Sequence, residues 1–221
     1  MFKSGDAGFV PWFFILGAGI LGLAFSPVAE VLIAKYLPRL GGLPMTRIRM
    51  TTAAITGLAC AAFCLRFGLN LALSAFIFLA VLGVQLARID VAQHLLPNPL
   101  VLMLLAGGFL LLLVPGLFNK QADDLLRAVL GAVILFAGYL ILGLISPVGI
   151  GMGDVKLAAP VGLYLGYLGW SQLLYGGLLG FILNGVVTAL LLSRKGRKKT
   201  SEVAHGPSML GALTGASLFI L

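Results

Sequence analysis

Long apolar runs separated by short polar segments follow one another along almost the whole chain of 221 residues. A run of this kind crosses a bilayer as a helix, because a helix satisfies its own backbone polar groups where no water can. Hydrophobic residues make up 60% of the chain and charged residues only 10%, with a mean hydropathy of +1.10, which excludes a soluble domain. The sequence predicts an all-α, polytopic integral membrane protein.

Polar and Gly/Pro-rich segments delimit the runs and predict about eight transmembrane helices. The second is short unless Arg66 reaches the far interface with its long side chain, and the eighth is also short. A cleaved signal peptide is an alternative for the first run, but its apolar core is longer than usual, which favours a retained helix. The predicted helices cover about residues 9–34, 50–65, 71–87, 99–118, 125–146, 157–170, 173–192 and 207–221.

The basic residues are divided unevenly between the two sides of the predicted bundle. Eleven of the fifteen Lys and Arg residues fall on one side, mostly in short loops near residues 35–49 and 194–205. Loops rich in Lys and Arg stay in the cytoplasm, so we expect the N-terminus outside. The sequence shows no repeat and no second domain, so we expect residues 1–221 to form a single transmembrane domain. The same loops account for the net charge of +8, which gives no reason to expect nucleic acid as a partner. Glu30, just before the first basic loop, is expected to pair with one of its cations.

Only two of the seven acidic residues, Asp90 and Asp154, need a special explanation, since the others fall in loops, tails or beside basic residues. Asp154 stands among Gly149, Gly151 and Gly153, between two apolar runs, where an unpaired charge is costly. The glycines predict a non-helical, water-reachable segment there. Two predicted membrane crossings separate the aspartates, so we expect both carboxylates at the cytoplasmic boundary.

Two neighbouring carboxylates share a proton, so that one acts as a base and the other as an acid. Such a pair activates water for attack on a peptide carbonyl and protonates the leaving amine, as in aspartic proteases. Two alternatives stay open: each aspartate caps a helix, or both carry protons in a transporter. Transport is disfavoured because both lie at one face rather than at the midplane. Neither histidine, His94 or His205, stands beside a nucleophile, and the two cysteines do not complete a zinc site.

The segments around both aspartates resemble the signatures of a known family. Residues 151–157, GMGDVKL, are similar to the G-x-G-D-x-K-L signature of type IV prepilin peptidases, which are membrane aspartic proteases of the GxGD class. Asp90, followed by Leu96, Pro97 and Asn98, resembles the other aspartate segment of that family. Further matches are Gly162, Gly166, Gly169 and Trp170 in the sixth run and Gly206 with Pro207 at the start of the last.

This resemblance implies an aspartic endopeptidase of a prokaryotic inner membrane, with its active site at the cytoplasmic face. Its substrates would be pilin-like or pseudopilin precursors of type IV pilus or secretion systems, held in membrane lipid and cut after a glycine to remove a short basic leader. The catalytic residues would be Asp90 and Asp154, with no cofactor and no metal. The supporting residues would be Gly151, Gly153, Lys156, Pro97 and Asn98.

The same resemblance leaves three points open. Longer members of the family add a zinc-binding loop with paired Cys-x-x-Cys motifs and an N-methyltransferase activity, but the first inner loop here is short and has no cysteine, so methylation is doubtful. Lys156 either steers a carboxylate or anchors its helix at the interface. Gly151 and Gly153 either free Asp154 to approach Asp90 or serve helix packing. A presenilin-like protease would need a late Pro-Ala-Leu triplet, and the sequence has none.

Overall fold

The computed structural model describes residues 10–118, 122–145, 150–194 and 204–220. Over these ranges the chain forms eight α-helices and a short 3-10 helix, Pro38–Leu40, with no strand, so the prediction of an all-α protein is confirmed. The helices are α1 (Trp12–Tyr36), α2 (Thr46–Phe67), α3 (Leu73–Gln93), α4 (Asn98–Phe118), α5 (Ala122–Ile145), α6 (Met152–Leu168), α7 (Trp170–Arg194) and α8 (Gly206–Phe219).

Six of the described helices, α1 to α5 and α7, are long and apolar enough to cross a membrane. Their outward side chains are largely apolar, as expected of surfaces that face lipid. The chain is therefore a multi-pass membrane protein, as predicted. Helices α6 and α8 have only 17 and 14 residues. The predicted number of eight spans and the outside N-terminus stay predictions, since residues 1–9 and most of the basic segment 194–205 lie outside the described residues.

Two predicted helix starts were wrong. Helix α2 begins at Thr46 and has 22 residues, so it needs no help from Arg66 to cross, and Arg47 and Arg49 lie in its first turn rather than in the loop. Helix α6 begins at Met152, five residues before the predicted start. A hydropathy criterion ends a span at its first charged residue, whereas backbone hydrogen bonds continue through charged residues at a helix end.

A buried ion pair joins the first two helices. The Glu30 side chain is fully buried, and its carboxylate accepts hydrogen bonds from Arg49 Nε at 3.0 Å and from Thr52 Oγ1 at 2.7 Å. The predicted pairing of Glu30 with a cation of the basic loop region is thus confirmed. Gln85 of α3 donates a hydrogen bond of 3.1 Å to Ser26 Oγ, which ties α1 to α3 as well. Polar contacts of this kind fix the register of otherwise apolar helices.

Helix α6 lies in the interior of the bundle, against α4, α5, α7 and α8. Eleven of its 17 residues are buried, so protein rather than lipid covers it. Its closest neighbour is α5, where glycines let the two backbones touch: a Cβ on Gly131 would lie 2.9 Å from the Cα of Gly166. Small residues at such crossings allow the close van der Waals contact that holds membrane helices together. This contact fixes the second half of α6 against α5.

We expect Gly131→Ala to destabilise the protein by about 1–3 kcal/mol, because the added methyl group meets backbone that can only move away as a unit. Gly138→Ala, on the same helix, is the matched control, since a Cβ there meets nothing within 4 Å. Thermal unfolding in detergent, followed by circular dichroism, measures both. Equal melting temperatures for the two variants would contradict the backbone contact between α5 and α6.

Candidate active site

Asp90 lies in the last turn of α3 and is 5% exposed. Its backbone carbonyl accepts a hydrogen bond of 2.8 Å from the N–H of His94, which has a φ of 51° and ends the helix in a left-handed conformation. His94 is a non-glycine residue in this conformation, which the C-terminal end of a helix commonly adopts. The chain then turns toward Pro97. The Asp90 carboxylate points to α8, where its Oδ2 accepts a hydrogen bond of 3.0 Å from the Gly206 N–H.

Asp154 lies in the first turn of α6, three residues after the N-cap residue Gly151. Its carboxylate accepts a hydrogen bond from the backbone N–H of Gly151, which is the acidic half of a capping box. The predicted non-helical setting of Asp154 was therefore wrong, since the negative charge is compatible with the positive end of the helix dipole. Gly149 lies outside the described residues.

The capping alternative holds in a modified form. Asp154 caps its own helix, as that alternative supposes, whereas Asp90 stands at a helix end and caps the start of a different helix, α8. Both carboxylates thus accept backbone N–H groups at helix starts. These contacts orient the two side chains and do not use all of their lone pairs, so capping and a chemical role are compatible.

The structure brings the two carboxylates to the same end of the bundle, where Asp90 and Asp154 interact electrostatically. Three contacts assemble this end. The Gly206 N–H binds Asp90, a Cβ on Gly206 would lie 3.5 Å from Leu96 Cδ1, and a Cβ on Gly153 would lie 3.2 Å from Leu96 Cβ. Leu96 therefore fits between the starts of α6 and α8. The absence of a side chain at Gly153 serves this close approach.

The other predicted support residues form a bridge beside the carboxylates. Lys156 Nζ donates a hydrogen bond of 2.9 Å to Asn98 Oδ1 in an exposed position, joining α6 to the first residue of α4. The Pro97 carbonyl accepts the N–H groups of Leu100 at 3.0 Å and Val101 at 3.1 Å, and so begins α4. These contacts favour an anchoring role for Lys156 over direct steering of a carboxylate.

Two further polar residues at this end of the bundle, Tyr139 and His205, were not predicted as site residues. Tyr139 of α5 is 3% exposed, and its Oη lies 3.1 Å from His205 Nε2, a hydrogen bond that joins α5 to the residue before α8. Tyr139 also interacts electrostatically with Asp154. Burial lowers the pKa of the His205 imidazole, which keeps the ring neutral. The one sequence signal for Tyr139 is a hydroxyl inside an otherwise apolar run.

Among the described residues, no group of three or more His, Cys, Asp or Glu side chains is placed to hold a metal ion. Cys60 and Cys64 are both buried free thiols within α2.

The fold and this end of the bundle define a class: a multi-pass helical membrane protein with two carboxylates oriented by backbone N–H groups at one end of the bundle. Comparison with known families agrees, because the sequence profile described as the type IV leader peptidase family matches residues 73–192, which contain both aspartates. The chain belongs to the type IV leader peptidase family.

Individual relatives are similar over part of their length. A prepilin leader peptidase/N-methyltransferase of Xanthomonas campestris is 28% identical over 194 residues, which are 87% of this chain and 66% of that protein. Proteins of the same description from Aeromonas hydrophila and Aeromonas salmonicida are 32% identical over 125 residues, 56% of this chain and 42% of theirs. The chain thus spans less than two thirds of each of these relatives. No solved structure matches it significantly.

We expect Lys156→Met and Asn98→Ala each to lower the free energy of unfolding only slightly, because the hydrogen bond between the two side chains is exposed. We expect a coupling free energy of about 0.5–1.5 kcal/mol between the two substitutions, because each removes the same hydrogen bond. A double-mutant cycle of thermal unfolding in detergent measures this coupling. The double variant should be no less stable than the less stable of the two single variants. Strictly additive losses would show that Lys156 and Asn98 do not support each other.

Proposed function

We propose that the chain is an aspartic endopeptidase that removes the short basic leader from type IV pilin-like or pseudopilin precursors. The observation that carries this proposal is the position of Asp90 and Asp154 at one end of the bundle, where the two carboxylates interact electrostatically, in a chain of the type IV leader peptidase family. The relatives named as prepilin leader peptidases support the choice of substrate.

The reaction needs one carboxylate ionised and the other protonated. The ionised group takes a proton from a water molecule as the water oxygen attacks the scissile carbonyl, and the protonated group gives its proton to the carbonyl oxygen. The group that took the water proton then gives it to the leaving amine as the C–N bond breaks, and the other carboxylate recovers its proton from the hydroxyl of the tetrahedral intermediate. Backbone hydrogen bonds from Gly206 to Asp90 and from Gly151 to Asp154 hold the two carboxylates in place for these transfers.

The position of the two carboxylates suits a substrate that stays in the membrane. At the end of the bundle, they reach a peptide bond just outside the apolar helix of a precursor, where water is available for hydrolysis. The excess of basic residues in loops on the predicted inner side supports the assignment of this end to the cytoplasmic face of a prokaryotic inner membrane. We infer that the cut falls there, after a glycine that leads into the apolar helix.

The proposal is limited to the peptidase activity. The relatives' description also includes an N-methyltransferase, but the connection between α1 and α2 covers only residues 37–45 and contains no cysteine. A segment of this size has no room for the paired Cys-x-x-Cys motifs that the longer members of the family carry. We therefore do not extend the methyltransferase activity to this chain.

A proton-coupled transporter is the second candidate, because such carriers also keep carboxylates in membrane helices. Transport sites lie near the midplane, at broken helices of paired repeats. Here the carboxylates lie at the last turn of α3 and the first turn of α6, which favours hydrolysis at the membrane boundary.

We expect Asp90→Asn and Asp154→Asn each to lower leader removal by a factor on the order of 10³, because an amide neither accepts nor donates the transferred proton. The isosteric change keeps the fold. Asp123→Asn, in the exposed first turn of α5, is the matched control and should process at the wild-type rate. Mass spectrometry of the new N-terminus, after incubation of purified protein with a prepilin in detergent, measures product and cleavage position together.

Retained cleavage in either active-site variant would contradict the proposed pair. A proton flux in vesicles that both substitutions abolish, with no peptide product from the wild type, would favour transport instead.

A further inference from the structure

We propose that the start of α8 is a positioning element for the two carboxylates, with Gly206 holding Asp90 through its backbone N–H and His205 fixing Gly206 in register. This inference rests on the proposed function and deepens it, since neither residue contacts the reacting atoms directly. The two residues act through the orientation and charge of Asp90.

The start of α8 offers a backbone N–H donor to Asp90. The first N–H groups of a helix have no partner within the helix, and they carry the positive end of its dipole. Pro207, the next residue, has no N–H. The Gly206 N–H is directed at Asp90 Oδ2 at 3.0 Å, so a buried carboxylate accepts a hydrogen bond from the first residue of this helix. Such a charge-assisted bond favours the ionised form of the carboxylate.

Gly206 has no side chain, and this allows Asp90 to approach its backbone closely. A Cβ there would lie 2.7 Å from Asp90 Oδ2 and 3.3 Å from its Cγ. Any larger residue would therefore push the carboxylate away from the N–H that binds it. Gly211, on the same helix, has nothing within 4 Å of a Cβ, so α8 does not require glycine for general packing at that point.

His205 holds the start of α8 in place through contacts with α5 and α7. His205 is 8% exposed, and its Nε2 is hydrogen-bonded to Tyr139 Oη at 3.1 Å, while its ring lies 5.6 Å from that of Phe181. Tyr139 stacks on Phe181 with 4.9 Å between ring centroids and interacts electrostatically with Asp154. The residue that precedes Gly206 is thus anchored beside the second carboxylate, so α8 connects both halves of the pair.

Among the described residues, titratable groups near Asp90 stand on or next to α3, α6 and α8. Asp154 faces it from α6, and His94 is the C-cap residue that ends α3. His205 stands at the start of α8, kept neutral by burial. Gly206 contacts Asp90 through its backbone N–H, so a change at this residue alters the environment of Asp90 without adding or removing a titratable side chain.

The test compares Gly206→Ala with Gly211→Ala as the matched control. Carbodiimides react with protonated carboxyl groups, so labelling of Asp90 against pH, followed by peptide mass spectrometry, measures its protonation without any need for catalysis. We expect Gly206→Ala to move the midpoint of Asp90 labelling upward by about one pH unit, because the ionised form loses its donor. We expect kcat for leader removal to fall about tenfold with KM little changed, since orientation rather than binding is lost.

Gly211→Ala should keep the wild-type labelling midpoint and the wild-type pH profile of cleavage. An unchanged midpoint in Gly206→Ala, or an equal shift in Gly211→Ala, would overturn the positioning role of Gly206. Absence of cleavage by the wild type would contradict the proposed function alone, because the labelling midpoint does not depend on hydrolysis.

Tyr139→Phe is the second variant, and it decides the matter if Gly206→Ala does not accumulate as folded protein. It keeps the ring that stacks on Phe181 and removes only the hydroxyl bound to His205. We expect an upward shift of the Asp90 labelling midpoint smaller than that of Gly206→Ala, because the start of α8 loosens but keeps its N–H. A wild-type midpoint in Tyr139→Phe would contradict the anchoring of α8 through His205.

Discussion

The main physical constraint on this structure is the burial of carboxylates inside a membrane-embedded bundle, because a buried negative charge is unstable unless hydrogen-bond donors or water compensate it. The structure meets this constraint with backbone N–H groups at helix starts, from Gly206 for Asp90 and from Gly151 for Asp154. Backbone donors carry no net charge, so they orient the carboxylates without the strong stabilisation that a salt bridge to Lys or Arg would give. The two groups therefore stay available for the proposed proton transfer.

A second buried carboxylate shows the contrast. Glu30 has the guanidinium of Arg49 at 3.0 Å and the hydroxyl of Thr52 at 2.7 Å, and its side chain is fully buried. Such a pair holds helices in register, and breaking it would leave an uncompensated charge. The carboxylate group thus serves structure between α1 and α2 and a proposed chemical role between α3 and α6. The partner of each carboxylate distinguishes the two uses.

Much of this arrangement was predictable from the order of apolar runs. The side of the membrane on which a residue lies follows from the number of crossings before it, and this placed Asp90 and Asp154 at the same end without any knowledge of contacts. The kind of partner that Glu30 has was predictable because a basic loop follows its helix end.

The starts of α2 and α6 were missed because a hydropathy criterion assigns charged residues in a first turn to a loop, although the backbone there is already helical. The hydrogen bond between Tyr139 and His205 joins residues 66 apart in the chain, and neither residue lies in a sequence pattern that predicts contact with the other.

The central claim is that Asp90 and Asp154 share one proton and divide the roles of base and acid between them. The pH dependence of kcat/KM for leader removal by the wild-type protein tests it most directly, because each carboxyl group controls one limb of the profile. The account predicts a bell-shaped profile in which activity falls at low pH as the base becomes protonated and at higher pH as the acid loses its proton. A profile with only one limb would contradict it.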